Sequence, residues 1–314
     1  MKISFFNELD EANSILIAGA GGGYDVFCGL PLYFVLKHAG KSVHLANLSS
    51  GALGFCDAEN PAPALWRITP RTAATKYFPE MHLSAWLTER YGGTPVFAIE
   101  PSGARRVSAA YQWLAHTLKP DAIVLVDGGT DSLMRGDEAG LATPEGDAVS
   151  LLAVQSLSGI SKKLLACLGF GVDTHHGVCH AHFLENVAAL AREDAYLGAW
   201  SLLHDSDEFR FYREACDFTF ARLPQQPSIV NTSVMSAASG SFGDIHATKR
   251  TEGSTLFINP LMALYWGFQL EGVVRRNLYI DQIRNTDTAE QVALTIEKFR
   301  DSLPSTRPWT TIPC

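Results

Sequence analysis

Three stretches of this chain carry residues whose types and spacing could do chemistry. The first is Asp127-Gly-Gly-Thr-Asp131, which runs on through Ser132-Leu-Met to Arg135-Gly-Asp-Glu138, directly after the apolar segment Ala122–Val126. In an α/β protein, the C-terminal end of a buried strand is the usual place for a reactive carboxylate. Gly128 and Gly129 would let the loop, with its main-chain N–H groups, come close to a ligand. Asp127 and Asp131 are therefore candidate catalytic groups, and Asp131 could instead accept ribose hydroxyls or bind Mg²⁺. Thr130 and Arg135 are expected at the same ligand, with Arg135 pairing either with an anionic group or with a neighbouring carboxylate. The plain alternative is a solvated acidic loop that continues to Glu145 and Asp147, with Thr130 and Asp131 as turn caps.

The second stretch is Ile15-Leu-Ile-Ala-Gly-Ala-Gly21-Gly22-Gly23-Tyr-Asp25. It reads as a buried strand, a tight turn and a helix start, with the N–H groups of Gly21, Gly22 and Gly23 facing an anion. The dinucleotide fingerprint is incomplete. Gly19 and Gly21 match, Tyr24 occupies the third glycine position, and strand two ends in Asn47 where an acid would bind ribose. No Gly-Lys-Ser/Thr follows, so a P-loop is excluded. Asp25 suits a helix N-terminus, where a carboxylate contributes ~0.3–1 kcal/mol. It would repel a phosphate there unless a cation or a sugar hydroxyl intervenes. A tight turn capped by Asp25, with no ligand at all, is the competing reading.

The third stretch is Asp173-Thr-His175-His176-Gly-Val-Cys-His180-Ala-His182. His176 and His180 on one helix would lie a turn apart and could share a metal, with Asp173 or His182 as a third ligand. His175 or His176 could instead act as a general base, or all four histidines could cap and pack a helix. No H-E-x-x-H pattern is present. The later segment Asn231-Thr-Ser233 opens a Ser/Gly-rich run to Ser254. Asn231 and Ser233 could serve an anion or a sugar there, or the run could be a surface loop. No G-x-S-x-G elbow occurs.

The elements that must hold these residues follow from the apolar pattern. Strands are expected at Ile15–Ala18, Val43–Leu48, Pro95–Ile99, Ala122–Val126 and Lys163–Gly169, with a short strand at Ile229–Asn231 and an edge strand at Leu278–Ile280. Helices are expected at Val26–Leu36, broken near Gly29 and restarted at Pro31, and at His82–Arg90, Val107–Leu118, Ala148–Ser158, His180–Ala191, Tyr196–His204, Phe209–Ala221, Leu261–Glu271 and Thr288–Ser302. Residues 57–80, rich in proline, read as an irregular excursion. The alternation predicts one α/β domain over residues 1–314, a Rossmann-like three-layer sandwich with a mainly parallel sheet.

The chain has 314 residues, 46% hydrophobic and 18% charged, with a net charge of -8. The charge argues against nucleic acid or an anionic membrane as partner. No apolar run reaches the ~18 residues of a spanning helix, and the first ten residues do not read as a secretory signal. Six scattered cysteines without a C-x-x-C pair suit reduced, mostly buried thiols in a cytoplasmic protein. A homo-oligomer is compatible with this composition.

The turn Gly19–Asp25, the Asn47-Leu-Ser end of strand two and Val126-Asp-Gly-Gly-Thr-Asp-Ser-Leu-Met-Arg-Gly-Asp-Glu138 resemble domain of unknown function family 1152 across most of the chain. The resemblance implies a soluble prokaryotic protein and assigns no reaction. Gly19-Ala-Gly followed by Gly29-Leu-Pro31 also resembles the Gly-Ala-Gly…Gly-Ile-Pro stretch of sirtuins, of the sirtuin/deoxyhypusine-synthase type of NAD-binding fold. Leu32-Tyr-Phe34 stands here in place of Asp-Phe-Arg, so the likeness concerns fold alone.

The expectation is an enzyme for a small-molecule ligand: a nucleotide such as NAD, or another phosphorylated, sugar-bearing metabolite. It would bind at the strand ends and undergo group transfer or hydrolysis. The alternatives are a hydrolase with a divalent metal in the His175–His182 cluster, and a non-catalytic binding or sensing module.

Overall fold

A computed structural model describes residues 3–73, 77–254 and 256–312. In chain order the strands are β1 (Ser14–Gly19), β2 (Ser42–Leu48), β3 (Glu59–Ala62), β4 (Leu65–Ile68), β5 (Val96–Ile99), β6 (Ala122–Gly128), β7 (Lys162–Leu168), β8 (Tyr196–Ser201), a ribbon of β9 (Gly243–Asp244) and β10 (Phe257–Ile258), and β11 (Leu264–Gln269). The helices are α1 (Ser4–Leu9), α2 (Asp25–Cys28), α3 (Leu30–His38), α4 (Pro79–Tyr91), α5 (Ala104–Leu118), α6 (Pro144–Gln155), α7 (His180–Arg192), α8 (Asp207–Phe220), α9 (Ile229–Ala238), α10 (Leu270–Arg276) and α11 (Ala289–Ser302).

Nine strands form one sheet in the order β3-β4-β5-β2-β1-β6-β7-β11-β8. The middle five, β5-β2-β1-β6-β7, are parallel throughout. Alternate side chains of these strands enter opposite cores, as the two-residue period of a strand requires. Leu16, Ala18, Ile123, Leu125 and Leu165 meet α5, α6 and α7 on one face. Ile15, Ile17, Val124, Val126 and Leu164 meet α2, α3 and α8 on the other. Both faces are covered, which explains why these strands are near-continuous apolar runs. The protein is a Rossmann-like three-layer sandwich.

Numbered among themselves along the chain, the parallel strands run 3-2-1-4-5. The order reverses between β1 and β6, and a crevice forms beyond the carboxyl ends of these two strands. The break at Gly29 is part of this arrangement. A Cβ on Gly29 would sit 2.7 Å from Ile17 Cγ2, so the glycine lets α2 lie against β1. Pro31 then occupies the first turn of α3, where its missing N–H costs nothing.

Several elements differ from the sequence expectation. Tyr196–His204 and Leu261–Glu271 are not helices. Their cores are β8 and β11, which extend the sheet antiparallel beyond β7. The aromatic side chains of Tyr196, Trp200, Tyr265, Trp266 and Phe268 pack across this pair and against neighbours, and aromatic residues favour strands. Ile229–Asn231 is not a strand but the start of α9. Ser228 caps that helix by accepting from Asn231 N at 3.1 Å, so the first part of the supposed Ser/Gly loop is helical. Leu278–Ile280 makes a turn rather than an edge strand. The excursion at 57–80 contains the β3–β4 hairpin, joined antiparallel to β5. Its residues 74–76 lie outside the described residues, as does Cys314 among the cysteines. The remaining five cysteines are free, and four of them are buried.

Candidate functional site

The crevice between β1 and β6 is a cavity of about 540 Å³. Its wall is assembled from five strand-end or helix-start segments. The turn after β1 supplies Gly21, Gly22, Gly23 and Asp25, and the end of β6 supplies Asp127 and Gly128. Asp131 comes from the 3-10 turn that follows β6, and Asp147 from the first turn of α6. Asp173, His175 and His176 come from the 3-10 turn after β7. Tyr24, Tyr77, Ser50, the start of α9 and Arg250 close the rim.

Five aspartates therefore converge, each no more than 9% exposed. Carboxylate oxygens of Asp25, Asp127 and Asp147 lie within 4.8 Å of one another. Four of the acids are tied down, Asp25 and Asp127 by their own turns and Asp131 and Asp173 by other segments. Asp25 Oδ2 accepts from Gly21 N at 2.7 Å and Gly22 N at 3.1 Å. Asp127 Oδ2 accepts from Ser132 N at 3.1 Å and from the Ser132 hydroxyl. Asp131 Oδ2 accepts from Thr143 N at 3.1 Å and Thr143 Oγ1 at 3.3 Å. Asp173 Oδ2 accepts from Thr130 N at 2.6 Å and Thr130 Oγ1 at 3.4 Å. Asp147 differs: its Oδ1 is buried with no hydrogen-bond partner among the described residues.

Burial raises the carboxyl pKa of all five, because it disfavours the charged form. Asp25 is pushed up to about 7, by burial first and against the lowering effect of the Gly21 N–H, with the Asp131 charge adding to the rise. Asp127, Asp147 and Asp173 rise well above the carboxylate range, by burial and then by the charge of Asp131. Asp131 is also raised by burial. So many buried acids packed together cannot all be ionised at once without a counter-charge. A cation bound among them would relieve both the repulsion and the orphaned oxygen of Asp147.

The glycines serve the acids more directly than they serve a ligand. An added Cβ on Gly21 would lie 2.7 Å from Asp147 Oδ2, and one on Gly128 would lie 2.7 Å from Asp25 Oδ1. On Gly129, where φ is +149°, it would lie 2.4 Å from Asp173 Oδ2. The expected anion floor at Gly21–Gly23 is already engaged. Gly21 N and Gly22 N donate to Asp25, and Gly23 N donates to Ser50 Oγ at 3.1 Å. The turn shapes an acidic pocket where an N–H cradle was expected.

The other expected residues divide clearly. Asn47 lies beneath the turn, accepting from Val26 N at 3.2 Å and donating to Gly23 O at 2.9 Å and to the buried Glu80 at 2.7 Å. Thr130 and Gly129 position Asp173. Asn231 faces inward to Tyr212 Oη at 2.7 Å and Ser228 Oγ at 2.9 Å, and Ser233 donates to Ile229 O. Both sit inside the α9 packing, not on the cavity. Arg135 lines a different cleft.

The histidine pair expected to bind metal is separated by a change of helix. His176 ends the 3-10 turn, Gly177 takes φ +90°, and α7 begins only at His180. The Thr174 hydroxyl donates to Gly171 O at 2.6 Å, so at its 2.6 Å contact with Thr174 the His180 Nε2 must donate. That nitrogen has no lone pair for a metal. His175 is the opposite case. Its Nδ1 donates to Val172 O at 2.7 Å, and its Nε2 is buried without a partner. Nε2 thus carries a free lone pair, and the ring stacks against His176 with centroids 3.7 Å apart.

Sequence reasoning missed Asp147, read as part of a solvated loop, and Arg250, Tyr77 and Ser50. One signal for Asp147 was available: it stands four positions after Thr143, in the first turn of a helix opened by Pro144. Arg250 reaches the cavity from a distant segment and has no local signature.

The strand order and the acid-lined cavity at its reversal define a doubly wound α/β protein with a cavity at the switch point. Residues 53–299 match the family described as "Protein of unknown function (DUF1152)", and the chain belongs to that family. The match includes Asp127–Glu138, Asp147 and Asp173, while Gly19–Asp25 and Asn47 precede it. Neither the curated proteins nor the solved structures include a match to the chain. No helix among the described residues is long and apolar enough to cross a membrane.

Proposed function

We propose that this chain is a divalent-cation-dependent enzyme acting on a nucleotide or another phosphorylated, sugar-bearing metabolite, by hydrolysis or group transfer. The observation that carries the reading is the convergence of Asp25, Asp127 and Asp147 on one point, with Asp147 Oδ1 buried and unpartnered. An all-oxygen donor set of this kind suits a hard ion, Mg²⁺ or Mn²⁺. Such an ion removes the conflict that Asp25 otherwise creates with a phosphate at the helix start, since it can lie between the two negative groups. Arg250 and His176, which also line the cavity, supply positive or donor groups for the phosphate. Tyr24 and Tyr77, with ring centroids 5.8 Å apart, offer an aromatic wall for a sugar or base. The volume lies within the ~300–1,000 Å³ usual for small-molecule sites.

In this reading Asp25, Asp127 and Asp147 would hold the ion, which would supply Lewis-acid activation of a phosphoryl group, and His175 Nε2 would take the proton from the attacking water or acceptor hydroxyl. Asp131 and Asp173, held by Thr143 and Thr130, complete the field around the ion or accept sugar hydroxyls. The test is thermal stability with Mg²⁺ or Mn²⁺ present and absent, followed by a panel that includes NAD, ATP and sugar phosphates, with product analysis. Cation-dependent stabilisation by a phosphorylated ligand and its conversion are expected. Failure of every phosphorylated ligand to stabilise the protein contradicts the reading. Binding without turnover would make the protein a ligand-binding or sensing module instead.

A further inference from the structure

Arg135 belongs to the most chemically suggestive segment of the chain, yet it does not enter the acid cavity. It lines a separate cleft of about 550 Å³ with Arg275, Arg276, Glu193 and Leu278. Three guanidinium groups and the Glu193 carboxylate line it, with Asp137 beside Arg135, on a chain whose net charge is -8. Two of the three arginines make only long ion pairs. Arg135 Nε is 3.5 Å from Asp137 Oδ1 and makes no hydrogen bond. Arg276 Nη1 is 3.6 Å from Glu193 Oε1, and its buried Nε is likewise unpartnered. Glu193 spends its short contact, 2.7 Å, on Arg275. Burial, and then the charge of Arg135, pull Arg276 below its usual pKa, which shows two guanidiniums repelling each other at close quarters.

The arginines are also held in place. Asn186 Oδ1 accepts from Arg276 Nη2 at 3.1 Å, while Asn186 Nδ2 donates to Leu133 O at 3.0 Å and to Glu138 Oε1 at 3.1 Å. Glu138, fully buried, accepts from Arg135 N at 3.0 Å. Leu278 N donates to Arg135 O at 2.8 Å. The Arg276 guanidinium and the Arg135 backbone are therefore held by the protein before any anion arrives, which lowers the ordering cost of binding one.

We propose that Arg135, Arg275 and Arg276 form a second ligand site, one that takes a small phosphate-bearing anion. Planar guanidiniums bind phosphate oxygens bidentately, and two arginines with unpartnered Nε–H groups beside a third, exposed one match a multivalent oxyanion. Glu193 is the built-in competitor, since it holds Arg275 and touches Arg276. The site is independent of the acid cavity and of the reaction proposed there.

Isothermal titration of inorganic phosphate and of pyrophosphate, at low ionic strength with EDTA present, tests it. The wild-type chain is expected to bind pyrophosphate saturably and more tightly than phosphate. Arg276→Gln should weaken binding at least tenfold. Glu193→Gln, an exposed change that leaves the fold intact, should tighten it about three- to tenfold by freeing Arg275. Arg250→Gln, in the acid cavity, should leave it unchanged. Absence of saturable binding overturns the proposal, as does binding indifferent to both Arg276→Gln and Glu193→Gln. Loss of binding in Arg250→Gln would also overturn it by placing the anion in the acid cavity.

Discussion

Asp147 concentrates the site's electrostatic problem in one side chain. Its carboxylate is buried beside Asp25 and Asp127 and gains no hydrogen bond at Oδ1, so without a cation it destabilises the fold whenever it ionises. Asp147→Asn should therefore raise the melting temperature of the cation-free protein near pH 7.5, by ~2 °C per kcal/mol recovered. The same change should abolish stabilisation by Mn²⁺. A purely structural aspartate would show the opposite of the first effect and none of the second. The sign of the pH dependence follows from the raised pKa values. Asp25 binds its proton more tightly when folded, about 7 against 3.8. Its contribution is fully present below about pH 4 and is lost as pH rises towards and through 7. Cation-free stability should fall across that window. Stabilisation by Mn²⁺ should grow across it, because the ion displaces protons; melting curves at pH 5, 6, 7 and 8 measure both. His175→Ala should lower turnover by about 10²–10⁴-fold while leaving Mn²⁺ affinity within a factor of two, as expected of a proton acceptor that does not hold the ion.

At the level of elements, the site depends on close approaches that only glycine allows. Gly128→Ala would place a methyl group 2.7 Å from Asp25 Oδ1, pushing that oxygen off the shared point. It should weaken Mn²⁺ binding at least tenfold while the far-UV spectrum stays native. Ser228→Ala removes the cap of α9 and should cost about 1 kcal/mol, read as a lower midpoint in urea. The parallel strands were readable because four of the five, all but β2, are apolar runs closed by a glycine or an acid. The break at Gly29 and the restart at Pro31 were readable from turn chemistry, while the cap of α11 could be Thr286 or Thr288 until the structure gave it to Thr288, which accepts from Gln291 N at 3.3 Å. What was not readable is instructive. Leu264–Gln269 and Tyr196–Ser201 are short apolar runs, and periodicity alone does not separate a buried strand from a buried helix. Their pairing partners are distant in sequence, so the sheet decides the matter. Ile229-Val230 are β-branched and favour strand, yet the Ser228 cap and packing on the core carry them into a helix.

Over the whole molecule, the strand order places the carboxyl ends of β1 and β6 side by side at the reversal, and the acids of both loops necessarily meet there. The location of the site was legible for that reason: Asp25, Asp127 and Asp131 all follow apolar strands. Its character was not, because Asp131 and Asp173 are held from other segments and Asp147 arrives from a helix. Thr143 holds Asp131, Thr130 holds Asp173, and Asp147 arrives from α6. The glycine-rich turn reads as an anion cradle in one dimension. In three dimensions its N–H groups are taken by Asp25 and Ser50, and the acids that line the cavity suit the cation proposed above, through which an anion would be reached.

Isothermal titration of Mn²⁺ into the purified, chelator-treated chain at pH 7.5, beside Asp147→Asn, tests that claim most directly. The account predicts stoichiometric binding to the wild type and its loss in the variant, whose fold remains intact and is more stable without the ion. No Mn²⁺ binding by the wild type, or equal binding by both proteins, would contradict it.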